Sequence, residues 1–270
     1  MKYSIIRHVA SFSDAYLEAY IHEPHAELQI GKRKAMIVCP GGGYTSLSER
    51  EGEPIALQYF AAGMNAFVLR YSIKEKAQNH APLIEACLAI KYLREHSDEL
   101  YVDPDNVFII GFSAGGHLAA WTGTLWHSPY VAAHLDGADP EICKPTATLP
   151  CYPVISCDYN SRSVAILSGD GKADPRAFSL DWQVDERTAP AFLWHTAEDG
   201  VVPVMHSILY ATALSKQKIP FELHVFPKGP HGLALCNKET WIGRPDYDSS
   251  YAEPWMEMSI RYVTDQPFRK

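Results

Sequence analysis

The residues best suited to chemistry in this sequence lie in a glycine-rich segment near position 113. Gly111, Ser113 and Gly115 have the spacing Gly-x-Ser-x-Gly, follow an apolar run over 107–110 and lead into small residues. This order predicts a buried strand, a sharp turn and a closely packed helix. Such a turn leaves no room for side chains two positions away from the serine, so glycine is needed at both places. We therefore predict a strained backbone at Ser113 and an exposed, nucleophilic hydroxyl.

A serine hydroxyl needs an imidazole to accept its proton and a carboxylate to orient that imidazole. Asp199 follows the strand-like run 191–195, and His231 follows the run 221–226 within a Gly-Pro-His-Gly loop. In open α/β sheets, reactive residues gather beyond the carboxyl ends of the strands. The chain order of serine, acid and histidine is that of the α/β-hydrolase fold. Ser113, Asp199 and His231 are therefore the predicted catalytic set.

Other residues compete for two of these roles. Glu198 is an alternative acid; Asp199 is favoured because it begins an Asp-x-x-x-Pro run and its shorter side chain suits a tight turn after a strand. The chain has 12 histidines. We expect His117, one turn beyond Ser113, and His195 and His224, within strands, to have structural roles. No spacing of histidine, cysteine or acidic residues predicts a metal site, and no cofactor is expected.

The remaining requirement is a set of backbone N–H groups that stabilises negative charge on a carbonyl oxygen. Three consecutive glycines follow the predicted strand 35–39 and can bring bare backbone close to a substrate. We predict that the N–H groups of Gly42, Gly43 and Ala114 form this oxyanion hole. A phosphate-binding loop is the alternative, but the spacings typical of such loops are missing.

Strand-like and helix-like segments alternate along the chain. This pattern predicts one domain over 1–270, with a mostly parallel, doubly wound sheet, helices on both faces and at most a small cap. The predicted strands are 16–21, 35–39, 65–69, 107–110, 147–152, 191–195 and 221–226, and the predicted helices are 48–62, 82–96, 204–216, 253–263 and one after Ser113. Residues 103–106 are expected to form a turn. Residues 156–187 have no sustained period and are expected to form loops and short helices that act as a lid or wall of the site.

The composition limits the partners. A formal net charge of −8 argues against nucleic acid and anionic membranes, and no segment is long and apolar enough to span a bilayer. The six cysteines lack CxxC spacing, and Cys39 and Cys151 lie in apolar runs where a thiol is a buried hydrophobe. We therefore expect no disulfides and a cytoplasmic location. The sequence leaves a homo-oligomer open.

Five motifs resemble one family of enzymes. They are Pro40-Gly41-Gly42-Gly43-Tyr44, Gly111 to Ala120, Tyr152 to Ile155, Phe192 to Pro203 and His231-Gly232. From about Ala35 to Gly232 the chain resembles the α/β-hydrolase esterases of the acetyl-xylan-esterase-like or feruloyl-esterase-like branch. The glycine loop is similar to the His-Gly-Gly-Gly loop of the hormone-sensitive-lipase group, with proline in place of histidine. Residues 156–187 and the tail after Asn237 match no motif of the family.

The resemblance implies a serine esterase that acts on small acyl esters, with acetylated xylo-oligosaccharides as a candidate substrate. Aromatic side chains that could stack on a sugar ring are Tyr44, Trp126, Trp194 and Trp241, of which Tyr44 is the predicted substrate contact. A serine peptidase or acyl-transferase on the same fold is the alternative, since the three catalytic residues do not specify the leaving group. A non-catalytic binding protein is the third hypothesis.

Overall fold

The computed structural model describes residues 1–7, 9–159, 162–169 and 172–269. Along its central strands, successive apolar residues point alternately into two buried layers. Within the described residues, eight strands form one sheet in the order β1-β2-β4-β3-β5-β6-β7-β8. The strands are β1 (Lys2–Ile6), β2 (Tyr16–Ile21), β3 (Arg33–Cys39), β4 (Asn65–Arg70), β5 (Val102–Phe112), β6 (Thr148–Cys151), β7 (Ala191–Thr196) and β8 (Phe221–Phe226). β3 to β8 are parallel, and β1 and β2 are antiparallel at one edge. The predicted mostly parallel sheet is confirmed.

Helices cover both faces of the sheet, as predicted. In the described ranges they are α1 (Glu53–Ala61), α2 (Ala81–Glu95), α3 (Ala114–Leu125), α4 (Pro129–Ala132), α5 (Arg162–Leu167), α6 (Met205–Lys216) and α7 (Trp255–Asp265). On β3, Ile37 packs in the core layer that contains α2, α3 and α6, whereas Met36 and Val38 pack in the layer with α1 and α7. The period of two along a strand thus divides its apolar residues between two buried layers.

The helix predicted over 48–62 is divided in the structure. A single 3₁₀ turn, Glu49–Glu51, comes first, and α1 begins only at Glu53. Pro54 near the start of α1 suits the first helical turn, because its missing N–H has no acceptor there. The division changes the path of the chain and turns the side chain of Glu51 into the protein, where it is 3% exposed.

Two further segments near the sheet differ from prediction. The turn expected at 103–106 lies inside β5, where it forms an irregularity in the pairing with β3. Arg33 pairs with Val102, but Ala35, two residues further on, pairs with Val107. Strand β1 was not predicted, because it pairs only at the edge and buries little of its surface. Both elements depend on pairing with β2 or β3 rather than on a local apolar pattern.

Residues 156–187 are called the wall segment below, and those that the structure describes (156–159, 162–169 and 172–187) form loops and short helices, as predicted. The described part contains α5 and 3₁₀ turns at Cys157–Tyr159, Pro175–Phe178 and Leu180–Trp182. The backbone N–H of Leu180 donates to the carbonyl of Ile155 over 3.0 Å, which attaches the segment to the chain that leaves β6.

The sequence also led us to expect cysteines without disulfide bonds and no segment that could span a bilayer. All six cysteines are free thiols, and Cys39 and Cys151 are buried as predicted. In the described part of the chain, no helix has the length and apolarity that a membrane crossing requires.

Candidate active site

Ser113 occupies the tight turn between β5 and α3. Its φ of 54° and ψ of −113° are strained for a residue with a side chain, as predicted. A Cβ atom added at Gly111 would lie 1.9 Å from the carbonyl oxygen of Gly115, and one added at Gly115 would lie 2.1 Å from that of Cys39. Both glycines are therefore required for the close approach of strand and helix, and they hold the serine outward.

The structure brings the three predicted side chains together. Nε2 of His231 is 2.8 Å from the Oγ of Ser113, and Nδ1 of the same ring is 2.7 Å from Oδ2 of Asp199. The three residues follow the carboxyl ends of β5, β7 and β8, where a parallel sheet places its loops on one rim. An imidazole in this position can accept the hydroxyl proton on one side while a carboxylate holds its other nitrogen.

Asp199 is held on both of its oxygens. Oδ1 accepts hydrogen bonds from the backbone N–H groups of Val201 and Val202, over 2.9 and 2.8 Å, and Oδ2 faces His231. Burial pushes the pKa of Asp199 upward, but hydrogen bonds from His195 and His231 outweigh it and hold the pKa well below its ordinary value. Asp199 is therefore a carboxylate at neutral pH.

The alternative acid, Glu198, points elsewhere. Its Oε2 lies 3.4 Å from the backbone nitrogen of Gly229, from which it accepts a long hydrogen bond. The carboxylate that reaches His231 is that of Asp199.

The other histidines considered from sequence are engaged in structural contacts. His117 is fully buried between the hydroxyl of Tyr44 and the carbonyl of Phe178, and burial lowers its pKa to about 4. His195 contacts the hydroxyl of Ser207 and the carbonyl of Val202, each over 2.8 Å. His224 pairs with Glu222 on β8, over 3.1 Å. None of the three reaches Ser113 in its place.

The glycine loop presents unpaired backbone donors. Gly42 and Gly43 have φ of 130° and 65°, and a Cβ atom at Gly42 would lie 2.1 Å from the carbonyl oxygen of Ser46. Among the described residues, the N–H groups of Gly42, Gly43 and Ala114 have no acceptor, whereas that of Gly41 donates to Glu51 over 2.9 Å. Gly42 and Gly43 line the same pocket as Ser113. The loop can therefore offer donors to a charged oxygen near the serine.

A pocket of about 430 Å³ opens above these groups. Its lining includes Gly42, Gly43, Ser113 and His231 from the sheet rim, Arg50 and Tyr247 on another side, and Tyr159, Arg162 and Ser163 from the wall segment. The expectation that this segment forms a wall of the site is confirmed. The described residues contain no group of three histidine, cysteine or acidic side chains that could hold a metal ion.

The prediction that Tyr44 contacts the substrate is wrong, and none of the four aromatic residues considered from sequence lines the pocket. Tyr44 is 0% exposed, and its hydroxyl is 3.0 Å from Nδ1 of His117, beneath the loop rather than in the pocket. Its φ of 59° turns the side chain inward, which the sequence pattern did not reveal. Trp126 and Trp194 are also buried, and Trp241 does not line the pocket. Tyr159 and Tyr247 are the tyrosines that do.

Several side chains in or next to the pocket were missed from sequence. Glu51 and His206 line it, and the ring of Tyr152 packs edge-on against His231 with centroids 5.2 Å apart. The available signals in the sequence were an acid directly before Gly-x-Pro at position 51 and the Tyr-Pro pair at position 152. Neither signal has a spacing that points to a site.

Comparisons with known proteins agree with this architecture. A family model described as BD-FAE matches residues 21–147, and one described as the prolyl oligopeptidase family matches residues 168–248. Endo-1,4-beta-xylanase B of Butyrivibrio fibrisolvens is 38% identical over 84% of this chain and 36% of its own length. Acetylxylan esterase of Xylanibacter ruminicola is 28% identical over 77% of this chain and 42% of its own length. The chain thus spans about two fifths of the length of these curated relatives.

Solved structures match over the whole chain. An α/β hydrolase enzyme from a Medee basin deep-sea metagenome library is 35% identical with a TM-score of 0.81, covering 98% of this chain and 97% of that chain. An acetyl ester-xyloside bifunctional hydrolase from Caldicellulosiruptor lactoaceticus is 35% identical with a TM-score of 0.81, covering 96% and 90%. A carboxylesterase from Lactobacillus plantarum is 28% identical with a TM-score of 0.85, covering 100% and 98%. The chain belongs to the α/β-hydrolase family, in its acetyl-xylan-esterase-like branch.

Proposed function

We propose that this chain is a serine carboxylesterase that cleaves short acyl esters, acetyl esters above all, through a covalent acyl-enzyme. One observation carries the proposal: the His231 ring lies within hydrogen-bond distance of both Ser113 and Asp199 at the floor of the pocket. Family membership supports the reaction class, and the geometry supports the assignment of roles.

In the proposed mechanism, Ser113 Oγ bonds to the ester carbonyl carbon while its proton passes to Nε2 of His231. The carbonyl electron pair moves onto its oxygen, where the N–H groups of Gly42, Gly43 and Ala114 stabilise the charge. Asp199 stabilises the imidazolium through Nδ1. The bond to the alcohol then breaks, and His231 returns the proton to the departing oxygen. Water, activated by the same ring, releases the acid and restores the serine.

For the natural substrate, we propose acetylated xylo-oligosaccharides. The printed names of an acetylxylan esterase and of an acetyl ester-xyloside hydrolase among the similar proteins support this choice. The pocket supports it too, since Arg50, Arg162 and Tyr159 can donate hydrogen bonds to sugar hydroxyls, and tyrosine can pack against a ring. No cofactor takes part in the proposed reaction.

The test is hydrolysis of a chromogenic acetate ester by the wild type and by Ser113→Ala. We expect kcat to fall on the order of 10³-fold or more in the variant, because the nucleophile is lost. Ser97→Ala, which removes a hydroxyl that contacts Lys32 instead, is the matched control and should keep the wild-type rate. Equal rates for the wild type and Ser113→Ala would overturn the proposal. Comparing acetylated xylobiose with short aryl esters then tests the sugar, which should have the higher kcat/KM.

A serine peptidase is the second candidate. The match of residues 168–248 to the prolyl oligopeptidase family includes both Asp199 and His231 and favours it. A panel of peptides separates the peptidase from the esterase. An esterase should leave the peptides intact but release acetate from an acetate ester. Trapping with hydroxylamine would reveal an acyl-enzyme and test acyl transfer to acceptors other than water.

A further inference from the structure

The carboxylate of Glu51 lies buried beside the proposed oxyanion loop. It is 3% exposed, and Oε2 accepts a hydrogen bond from the N–H of Gly41 over 2.9 Å. Oε1 is 2.7 Å from the hydroxyl of Tyr152. In the described part of the chain these are its two side-chain hydrogen bonds, and no cation pairs with it. The fit is tight, because a Cβ atom on Gly41 would lie 2.6 Å from Oε2.

Tyr152 extends the contact to the segment that carries His231. Its hydroxyl accepts a hydrogen bond from the N–H of Ala234 over 3.0 Å, and its ring packs edge-on against the His231 imidazole. Gly41, Glu51, Tyr152 and Ala234 therefore form one hydrogen-bonded chain. It runs from the glycine loop after β3 to the loop after β8.

The direction of these hydrogen bonds requires an acceptor on both oxygens of residue 51. The Gly41 N–H can only donate. The Tyr152 hydroxyl accepts from Ala234, so its own proton points to Glu51. Burial raises the pKa of Tyr152, and the nearby Glu51 raises it further, so the hydroxyl keeps this proton. The pattern fits a carboxylate and fits an amide poorly, because an NH₂ group facing Tyr152 would leave the hydroxyl proton without its acceptor.

A buried carboxylate without a cation is costly for stability, so packing alone does not explain its presence. We propose that Glu51 is a positioning residue, which holds the donors of the glycine loop and the His231 loop at a fixed separation through Gly41 and Tyr152. Both loops must keep their places while the proton moves to His231 and charge forms on the carbonyl oxygen. The inference rests on the esterase function proposed above.

Two substitutions test it at different points of the chain. Glu51→Gln keeps the size of the side chain and one acceptor but removes the second. Tyr152→Phe removes the hydroxyl and leaves the ring on His231. Glu49→Gln is the matched control, because Glu49 lies on the same 3₁₀ turn and pairs with Arg70 on the surface. Glu49→Gln should keep kcat within about twofold of the wild type.

The measurement is kcat on a chromogenic acetate ester, normalised to the sites titrated by a phosphonate that labels Ser113. We expect Glu51→Gln and Tyr152→Phe to lower kcat per titrated site about 10- to 100-fold, with KM changed less than threefold. A purely structural role would reduce the number of titrated sites and the melting temperature but leave kcat per site unchanged. If Glu51→Gln does not fold, Tyr152→Phe decides alone.

The inference is overturned if the folded variants keep kcat per titrated site within twofold of the wild type. This outcome differs from the one that would overturn the proposed function. The esterase proposal fails only if Ser113→Ala retains the wild-type rate. Should Ser113→Ala be inactive and Glu51→Gln fully active per site, the esterase assignment stands and the role of Glu51 falls.

Discussion

The serine turn and the wall segment border the same pocket but are built in different ways. The turn is set by backbone packing, because a Cβ atom at Gly111 or Gly115 would collide with a backbone carbonyl. The described part of the wall segment consists of loops and short helices, which are anchored by buried apolar side chains such as Phe178 and by hydrogen bonds such as that from the Leu180 N–H to the Ile155 carbonyl. A turn of the first kind fixes a reacting atom, and a segment of the second kind tolerates change. We therefore expect catalysis to depend on the serine turn and substrate choice to depend on the wall segment.

Two buried histidines add hydrogen bonds between the wall segment, or the chain that enters it, and the helices beneath. His117 on α3 is next to the carbonyl of Phe178 in the wall segment. His206 on α6 accepts hydrogen bonds at Nδ1 from the N–H groups of Ile155 and Ser156, over 2.9 and 3.0 Å. Each ring supplies an acceptor or donor that the adjoining backbone would otherwise lack. The wall segment thus depends on neutral imidazoles, whereas the serine turn depends on glycine.

The largest effect should come from a change of one atom on the reacting side. In Asp199→Asn, the two backbone donors at Oδ1 fix the amide oxygen there, so the NH₂ group faces His231. The ring must then carry its proton at Nε2 and cannot accept one from Ser113. We expect kcat on an acetate ester to fall on the order of 10³- to 10⁴-fold. Glu198→Gln is the control and should stay within threefold; equal losses in both would undo the assignment of the acid.

The rigidity of the turn is testable with glycine substitutions. Gly115→Ala should lower the free energy of unfolding by about 3 kcal/mol or more, because the added Cβ would meet the Cys39 carbonyl. Gly200→Ala, at a glycine with open space around its Cβ position, should change it by less than about 0.5 kcal/mol. Urea titration measures both. A tolerated Gly115→Ala would remove the contrast between the two sides of the pocket.

The histidine contact predicts a dependence of stability on pH. Burial, assisted by His195 and His117, lowers the pKa of His206 to about 4, below its unfolded value near 6.5. Its contribution to the free energy of unfolding is therefore complete above pH 6.5 and is lost as the pH falls through 4. In His206→Asn, the loss of stability between pH 7 and pH 4 should be smaller by on the order of 3 kcal/mol. Identical losses in both proteins would count against this contact.

The smallest effect should come from the wall itself. Tyr159 is 37% exposed at the pocket, so Tyr159→Ala should leave kcat on an aryl acetate within about threefold. The KM for acetylated xylobiose should rise by more than threefold, because the sugar part of this ester is large enough to reach the wall segment. If Tyr159→Ala instead lowers kcat as much as Asp199→Asn does, the wall segment takes part in catalysis and the contrast between the two sides of the pocket is wrong.

Most of the reacting side was predictable from sequence, because its rules are local. The apolar run, the glycine spacing and the small residues after Ser113 describe a strand, turn and helix without reference to the rest of the chain. The alternation of strands and helices predicted the parallel sheet, and the parallel sheet places its loops on one rim. The edge strand β1 escaped prediction, because its conformation depends on its partner β2.

The surroundings of the site were less predictable, because they depend on residues distant in sequence. Glu51 enters the interior only because a 3₁₀ turn ends before α1, and its partner Tyr152 is 101 positions away. Tyr44 was expected to face substrate, but its positive φ turns the ring beneath the loop and toward His117. Local propensity contains neither fact.

The sequence by itself determined the fold class, the serine turn and the chain order of serine, acid and histidine, because local steric rules and strand periodicity are enough to specify them. Only the tertiary structure decided that Asp199 rather than Glu198 meets His231, and that the carboxylate of Glu51 joins two loops. Both depend on distances of a few ångströms between segments far apart along the chain. Such distances are set by the packing of the whole sheet and its helices.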